Sequence, residues 1–255
     1  MLNLFDSHAH YNDPVFEEEL DGLLKKIYES GVTRVMNVSY DTESSEKTVA
    51  LCGKYEFIYG AVGVHPHDSK DIVPADYDRL KEFCKNEKIR AIGETGLDYH
   101  YDNSPRETQK REFDNHLSLA KELGLPVIVH ERDAVRDTLD IIKAHDVSGI
   151  YHCFSGSVET AREALKKGYY ISFSGVVTFK NAKHVKEAAA YVPEDRILIE
   201  TDCPYLSPVP KRGERNSSLN LIYTLNAIAE IRGISPEKAA ETTFKNATDI
   251  FKIKE

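Results

Sequence analysis

The sequence predicts a single (β/α)8 TIM barrel with an extra C-terminal helix. Strand-like and helix-like segments alternate along all 255 residues, and such alternation implies a parallel sheet with right-handed crossovers. Eight strand–helix units can be counted, which suits a closed barrel rather than an open doubly wound sheet. The length is typical of that barrel, and no Gly/Ser/Pro-rich linker or low-complexity tract divides it, so residues 1–255 are expected to form one domain.

The apolar run Met1-Leu2-Asn3-Leu4-Phe5 reads as the first strand. Pro14 to Ser30 places Phe16, Leu20, Leu23, Leu24 and Ile27 on one helical face, and Gly31 is a stop. Val32 to Val38 is the second strand. Thr42 is expected to cap a helix running to about Tyr55, with Glu43 in its first turn. Phe57 to Val64 is the third strand, and Asp76 to Asn86 a helix with Tyr77, Leu80 and Phe83 inward. Ile89 to Ile92 is the fourth strand. Pro105 opens a long helix carrying Phe113, Leu117 and Ala120, stopped at Gly124. Pro126 to Val129 is the fifth strand and Asp133 to His145 a helix. Gly149-Ile150-Tyr151 is a short sixth strand, followed by a helix capped by Ser157 and ended by Gly168. Tyr169 to Phe173, then Asn181 to Tyr191, form the seventh unit. Arg196 to Ile199, then Ser217 to Ile231, form the eighth, and Ser235-Pro236-Glu237 starts the extra helix.

The composition narrows the function. Hydrophobic residues make up 41% and charged ones 29%, enough for a sizeable core. A net charge of −9 argues against coating nucleic acid through a broad basic face. It leaves room for an enzyme whose bound cations meet phosphates locally. Cys52, Cys84, Cys153 and Cys203 lack CxxC spacing, which points to reduced thiols and a cytoplasmic protein. The N-terminus has no basic segment followed by a long apolar one, and no apolar run reaches membrane-spanning length, so neither a secretory leader nor a membrane partner is expected. No obligate protein partner is evident, and a monomer is expected.

Chemistry enters at the strand ends. His8 and His10 sit two residues apart, so on an extended chain they project together. His65 follows the third strand, Glu94 the fourth, His130 the fifth, His152 the sixth and Asp202 the eighth. Barrel active sites form at the C-terminal ends of strands, where residues distant in sequence converge. Imidazole mixed with carboxylate suits zinc, manganese or iron, whereas carboxylate and water suit magnesium. His8, His10, Glu94, His130, His152 and Asp202 exceed the needs of one tetrahedral ion. Two divalent ions (Mg²⁺, Mn²⁺ or Zn²⁺) are therefore expected, with Glu94 as the bridge. His8 and His10 would hold one ion, and His130 and His152 the other. Asp202 would hold a water at the centre and take its proton, which makes Asp202 and Glu94 the catalytic pair.

The motifs Phe5-Asp6-Ser7-His8-Ala9-His10, Gly63-Val64-His65-Pro66-His67, Ile92-Gly93-Glu94-Thr95-Gly96-Leu97-Asp98, Val129-His130-Glu131-Arg132-Asp133-Ala134, His152-Cys153-Phe154-Ser155-Gly156 and Glu200-Thr201-Asp202-Cys203-Pro204-Tyr205-Leu206 span nearly the whole chain. In these the sequence resembles the TatD family of metal-dependent deoxyribonucleases, within the amidohydrolase superfamily. The resemblance implies a (β/α)8 barrel, two divalent ions and hydrolysis of phosphodiester bonds in DNA, often from the 3′ end. It puts the family's ligand positions on His8, His10, Glu94, His130, His152 and Asp202. Members commonly carry Arg-Gly-x-Arg-Asn followed by an acid and proline. Here Arg212-Gly213-Glu214-Arg215-Asn216 is followed by Ser217-Ser218, so Arg215 and Asn216 remain candidates for substrate while the end of the loop departs from the pattern.

Other residues have two readings each. His65 would contact a scissile phosphate or bond to rim backbone. Arg132 would pair with a phosphate or with a neighbouring acid. Phe154 and Phe179 would stack on bases or pack. Lys180 and Lys183 would meet phosphates or water. Asp6 would orient an imidazole or pair with a lysine. The alternative function is cleavage of an ester or amide at the same site, as in deacylation of D-aminoacyl-tRNA. Superfamily members that bridge their metals with a carbamylated lysine are a poorer match, because Ala91 to Tyr99 contains no lysine.

Overall fold

A computed structural model describes residues 2–254. Eight strands form one parallel sheet in the order β1 to β8: β1 Leu4–Ala9, β2 Val32–Val38, β3 Ile58–Val62, β4 Ile89–Asp98, β5 Val127–Arg132, β6 Gly149–Tyr151, β7 Tyr170–Phe173 and β8 Ile197–Ile199. The ring closes where β1 meets the chain beyond β8. The His10 amide donates to the Cys203 carbonyl and the Asp202 amide to the His8 carbonyl, both at 2.9 Å. Helices α1 Leu20–Glu29, α2 Thr42–Lys54, α3 Pro74–Phe83, α4 Arg106–Leu123, α5 Val135–Ala144, α6 Val158–Lys166, α7 Lys183–Tyr191 and α8 Leu221–Arg232 follow the strands in turn. The extra helix, α9 Pro236–Ile250, is present.

Two apolar layers hold the barrel. The larger lies between strands and helices. The smaller lies inside the strand ring, where Phe5, Met36, Val38, Ile128, Ile150 and Leu198 meet Ile250, Phe251 and Ile253 from the end of α9. The Phe5 and Phe251 rings are 5.7 Å apart. The extra helix thus plugs the N-terminal mouth with apolar side chains, leaving polar chemistry to the opposite mouth.

The expected elements shift in four informative places. The first strand lies at Leu4–Ala9 rather than 1–5, and Met1 lies outside the described residues. The expected helix over 14–30 divides into a short 3₁₀ turn, Pro14–Phe16, and α1. Glu17-Glu18-Glu19 lies between them, since clustered negative charge is favoured at a helix N-terminus and not in an interior. The cap of α2 is Asp41, not Thr42: its carboxylate accepts from the Ser44 amide at 2.6 Å while Ser44 Oγ accepts from the Asp41 amide at 2.9 Å.

The fourth shift matters most for the site. Strand β4 runs on to Asp98 instead of ending at Ile92, and β5 runs to Arg132, pairing Thr95, Gly96, Leu97 and Asp98 with Val129, His130, Glu131 and Arg132. Gly93 and Gly96 resemble turn residues in the sequence, yet both lie within β4. Gly96 has φ +143°, and a Cβ there would stand 2.0 Å from the His130 carbonyl oxygen. Only glycine allows the two strands to approach so closely there.

A buried polar seam locks the closure. The carboxylate of Asp6 accepts from the Thr201 amide at 2.9 Å, from Thr201 Oγ1 at 2.6 Å and from Ser218 Oγ at 2.6 Å. Asp6→Ala leaves these buried donors without an acceptor and should lower stability by about 2 kcal/mol or more. Urea unfolding of the variant checks this; an unchanged midpoint would show that the seam does not stabilise the barrel.

Candidate metal centre

Strand alternation and the lengthened β4–β5 ribbon converge acids and imidazoles at the open mouth. His8 lies in β1 and His10 one residue beyond it, with Nε2 atoms 3.1 Å apart. His152 follows β6, its ring stacked on that of His8 at 4.0 Å between centroids. Asp202 follows β8 with φ +58°, in the left-handed region where Asp and Asn are tolerated better than most residues. Its amide bond to His8 holds that turn against β1.

Glu94 occupies the middle, and its two oxygens face different partners. Oε2 lies 3.4 Å from His8 Nε2 and 3.7 Å from His10 Nε2. Oε1 lies 2.7 Å from His152 Nε2 and 2.9 Å from His130 Nδ1. His65 Nε2 approaches the same oxygen at 3.7 Å. Asp202 Oδ1 stands 3.4 Å from His10 Nε2 and 3.7 Å from His8 Nε2. All six expected ligands therefore gather at one place. The inner nitrogens of His8 and His10 and one Glu94 oxygen converge on one point, where a cation could accept all three in place of the shared proton. Imidazoles and carboxylates in this arrangement fit divalent metal. Three compact donor groups occur among the described residues: His8, His10 and Glu94; His8, His152 and Glu200; and His65, Glu94 and His130.

The outer nitrogens of three histidines are also held. His10 Nδ1 meets the Val38 carbonyl at 2.9 Å, His130 Nε2 meets Asp98 Oδ2 at 3.1 Å, and His152 Nδ1 meets Glu200 Oε1 at 3.3 Å. Such contacts fix a ring's orientation and tautomer and raise its basicity as a ligand. Asp98 and Glu200, both buried, were not among the expected site residues. Strand alternation held a usable signal for Asp98, four residues from Glu94 in the same strand, whereas Glu200 lies just past β8 and before the left-handed turn at Asp202, where alternation does not carry over. Among the described residues, His8 Nδ1 and Glu200 Oε2 are buried without a hydrogen-bond partner.

Charge is balanced within the cluster. Burial alone would push Glu94 up, but His152, His65 and His130 hold it well below the usual carboxylate range. Burial likewise opposes ionisation of Asp202, and His10, His8 and His152 bring it down. Burial lowers His8, with repulsion from His152 adding to it. Burial also acts against protonation of His10, His130 and His152, yet each is raised: His10 by Asp202 and Glu94, His130 by Asp98 and Glu94, and His152 by Glu94 and Glu200.

A pH dependence follows, with a definite sign. Imidazoles raised above their ordinary value hold their protons to higher pH than a free imidazole in the metal-free protein, and a metal must expel those protons. Divalent-metal affinity should therefore rise with pH above about 6.5, with net proton release. Calorimetry in buffers of different ionisation enthalpy measures that release. Metal binding with no proton exchange and a flat pH profile would contradict it.

The remaining candidates separate. His65 bonds to rim backbone, its Nδ1 accepting from the His67 amide at 3.2 Å, while its Nε2 faces Glu94. Arg132 has no carboxylate partner among the described residues; its guanidinium lies over the Tyr101 ring at 4.8 Å. Arg215 is engaged elsewhere, paired with Glu19, donating to the Val15 carbonyl at 2.8 Å and lying over the Phe16 ring. Asn216 is buried and donates to the carbonyls of Thr201 at 2.9 Å and Tyr205 at 2.7 Å, so it supports the Asp202 turn from below. Phe154 is buried, and Phe179 is covered by the Arg212 guanidinium at 4.0 Å. Lys183 lies 3.8 Å from Glu187. Asp6 neither touches an imidazole nor pairs with a lysine, because the Thr201 and Ser218 donors occupy its oxygens. No described helix is long and apolar enough to cross a membrane.

Comparison with known proteins adds independent findings. The model of the family described as TatD related DNase matches residues 5–252. The chain is 44% identical over 253 residues to the uncharacterized metal-dependent hydrolase YabD of Bacillus subtilis, covering 98% of this chain and 99% of that one. It is 31% identical over 258 residues to the 3′-5′ ssDNA/RNA exonuclease TatD of Salmonella typhimurium, covering 98% and 99%. Among solved structures, YJJV, a TatD homologue from Escherichia coli K12, superposes with a TM-score of 0.93 at 26% identity, covering 98% of each chain.

Proposed function

The chain belongs to the TatD related DNase family, a family of metal-dependent hydrolases, and on that premise we propose that it hydrolyses phosphodiester bonds in DNA, exonucleolytically, with two divalent ions held by His8, His10, Glu94, His130, His152 and Asp202. The observation that carries this reading is the division of Glu94, one oxygen toward His8 and His10 and the other toward His130 and His152. Bound there, divalent ions would supply Lewis acidity toward a phosphoryl oxygen and lower the pKa of water.

The chain's own residues do the rest. Asp202 stays ionised at neutral pH and stands at the rim of the cluster, where it takes the proton of the attacking water. As the water oxygen bonds to phosphorus, the bond to the leaving oxygen breaks, and that oxygen keeps the electron pair and takes a proton from solvent, while Asp202 returns its proton to solvent. Asp98 and Glu200 hold the His130 and His152 rings so that the inner nitrogens stay aimed at Glu94. His65, neutral through burial and the nearby His130, offers a polar contact to phosphate without adding a charge to the cluster.

The test is a side-by-side assay after chelation, with Mg²⁺, Mn²⁺ or Zn²⁺ restored, on labelled DNA, D-aminoacyl-tRNA and a simple phosphotriester. Ion-dependent release of nucleotides from DNA supports the proposal. Hydrolysis confined to aminoacyl-tRNA or the triester overturns it. With a net charge of −9, DNA affinity should depend strongly on divalent ions and only modestly on monovalent salt, since few lysines or arginines release counterions. Tight binding in chelator with a steep salt slope would contradict that expectation.

A further inference from the structure

Resting on the reading of DNA as substrate, we propose that Tyr101 and Tyr205 are stacking platforms for the unpaired bases on either side of the cleaved phosphate, with Arg132 backing the Tyr101 platform. The two rings are large, exposed and stationed at the chemical mouth of the barrel. Tyr101 follows β4 and is 56% exposed; Tyr205 follows β8 and is 55% exposed. The other exposed tyrosines, Tyr28 near the end of α1 and Tyr191 at the end of α7, lie at the opposite mouth, away from the cluster.

Each platform is anchored to an acid of the metal cluster three residues earlier. The Tyr101 amide donates to Asp98 Oδ1 at 2.9 Å, and the Tyr205 amide donates to the Asp202 carbonyl at 3.0 Å. Their placement relative to the cluster is thus set by backbone. They also stand on different sides of it. Tyr101 meets His67 edge-on at 5.3 Å, and His67 shares Asp98 with His130. Tyr205 meets His10 edge-on at 6.3 Å. Glu94 lies between these two groups, so a phosphate at the cluster would have one ring on each side.

The chemistry favours a nucleobase as the occupant. Aromatic side chains stack on any base, and an adjoining guanidinium adds cation–π and phosphate contacts. Arg132 lies over Tyr101 and has no carboxylate partner among the described residues, so its charge is available to a strand. The two phenylalanines that the sequence offers for stacking are buried or covered, which leaves these tyrosines as exposed rings beside the cluster.

The experiment compares wild type with Tyr101→Ala, Tyr205→Ala and the two Tyr→Trp variants, in the full chain loaded with Mn²⁺. Both positions are exposed, so folding should be unaffected. Affinity for a dye-labelled single-stranded oligonucleotide is read by fluorescence anisotropy, alongside KM and kcat. Each alanine variant should bind about 10-fold more weakly, with KM rising more than kcat falls, and each tryptophan variant should stay within about 2-fold of wild type. On oligonucleotides made abasic on one side of the cleaved bond or the other, each alanine variant should match wild type for the side it serves. Alanine variants that equal wild type in affinity and KM while hydrolysis proceeds would overturn the stacking role and leave the nuclease reading intact. A wild type that binds the strand with tyrosine-dependent affinity but hydrolyses none would overturn the nuclease reading alone. A wild type that neither binds nor hydrolyses the strand would overturn both.

Discussion

Asp202→Asn should lower turnover on DNA by about 100-fold or more while most of the metal stays bound. The substitution keeps the shape of the side chain, and asparagine tolerates the φ of +58° found there. The turn is held independently, by the Asp202 amide on the His8 carbonyl and by Asn216 beneath it. What disappears is an acceptor for the water's proton, since an amide oxygen is not a useful base at neutral pH. Five other ligand candidates remain, so metal content should fall less than activity does. DNA should still bind, and more tightly if removal of one negative charge beside the phosphate dominates. Turnover, bound metal and DNA affinity are to be measured on one preparation. Near-normal turnover would remove Asp202 from catalysis. Joint loss of activity and both ions would make it a ligand first and a base second.

Glu94→Gln should leave the protein with one ion or fewer and reduce turnover by about 100-fold or more. A carboxylate can give one oxygen to each of two cations. A carboxamide has one good donor oxygen, and its NH₂ group would face His130 and His152 or His8 and His10 instead. Loss of the negative charge also leaves the imidazoles without the group that raises His152 most, so that ring should titrate lower in the metal-free variant. Folding should survive, because Glu94 sits at the open mouth, away from the plugged one, and its amide bond to the Ser39 carbonyl at 2.8 Å involves backbone only. Metal analysis beside a thermal unfolding curve decides the matter: two ions at full occupancy in a folded variant would rule out bridging.

Much of the fold is legible in the sequence because its signals are local. Gly124 ends α4 in the left-handed conformation, Ser157 caps α6 by accepting from the Thr160 amide, and Ser235-Pro236 starts α9. Those devices act within three or four residues and read the same in any barrel. The places where reading falls short are governed by contacts across the sheet. Glycines 93 and 96 signal a turn locally, yet they serve the close approach of β5, which only the register of β4 against β5 reveals. Thr42 is a good cap by residue type, but the extended backbone and the reciprocal bonds with Ser44 put the cap on Asp41.

By itself the sequence determined the residue types of the site, their recurrence after successive strands and the number of strands that bring them round. Those follow from periods of two and 3.6 residues, and from the rule that parallel strands expose their C-terminal ends on one mouth. Tertiary structure alone decided how the side chains are paired. His130 turns Nδ1 to Glu94 and Nε2 to Asp98, His152 is held by Glu200, Arg215 is drawn away to Glu19, and Phe154 is buried while Tyr101 and Tyr205 are not. These pairings join residues tens to hundreds of positions apart. They depend on strand stagger and on the register shifts within β1 and β4, which change by a residue when packing changes and leave no periodic trace in the chain.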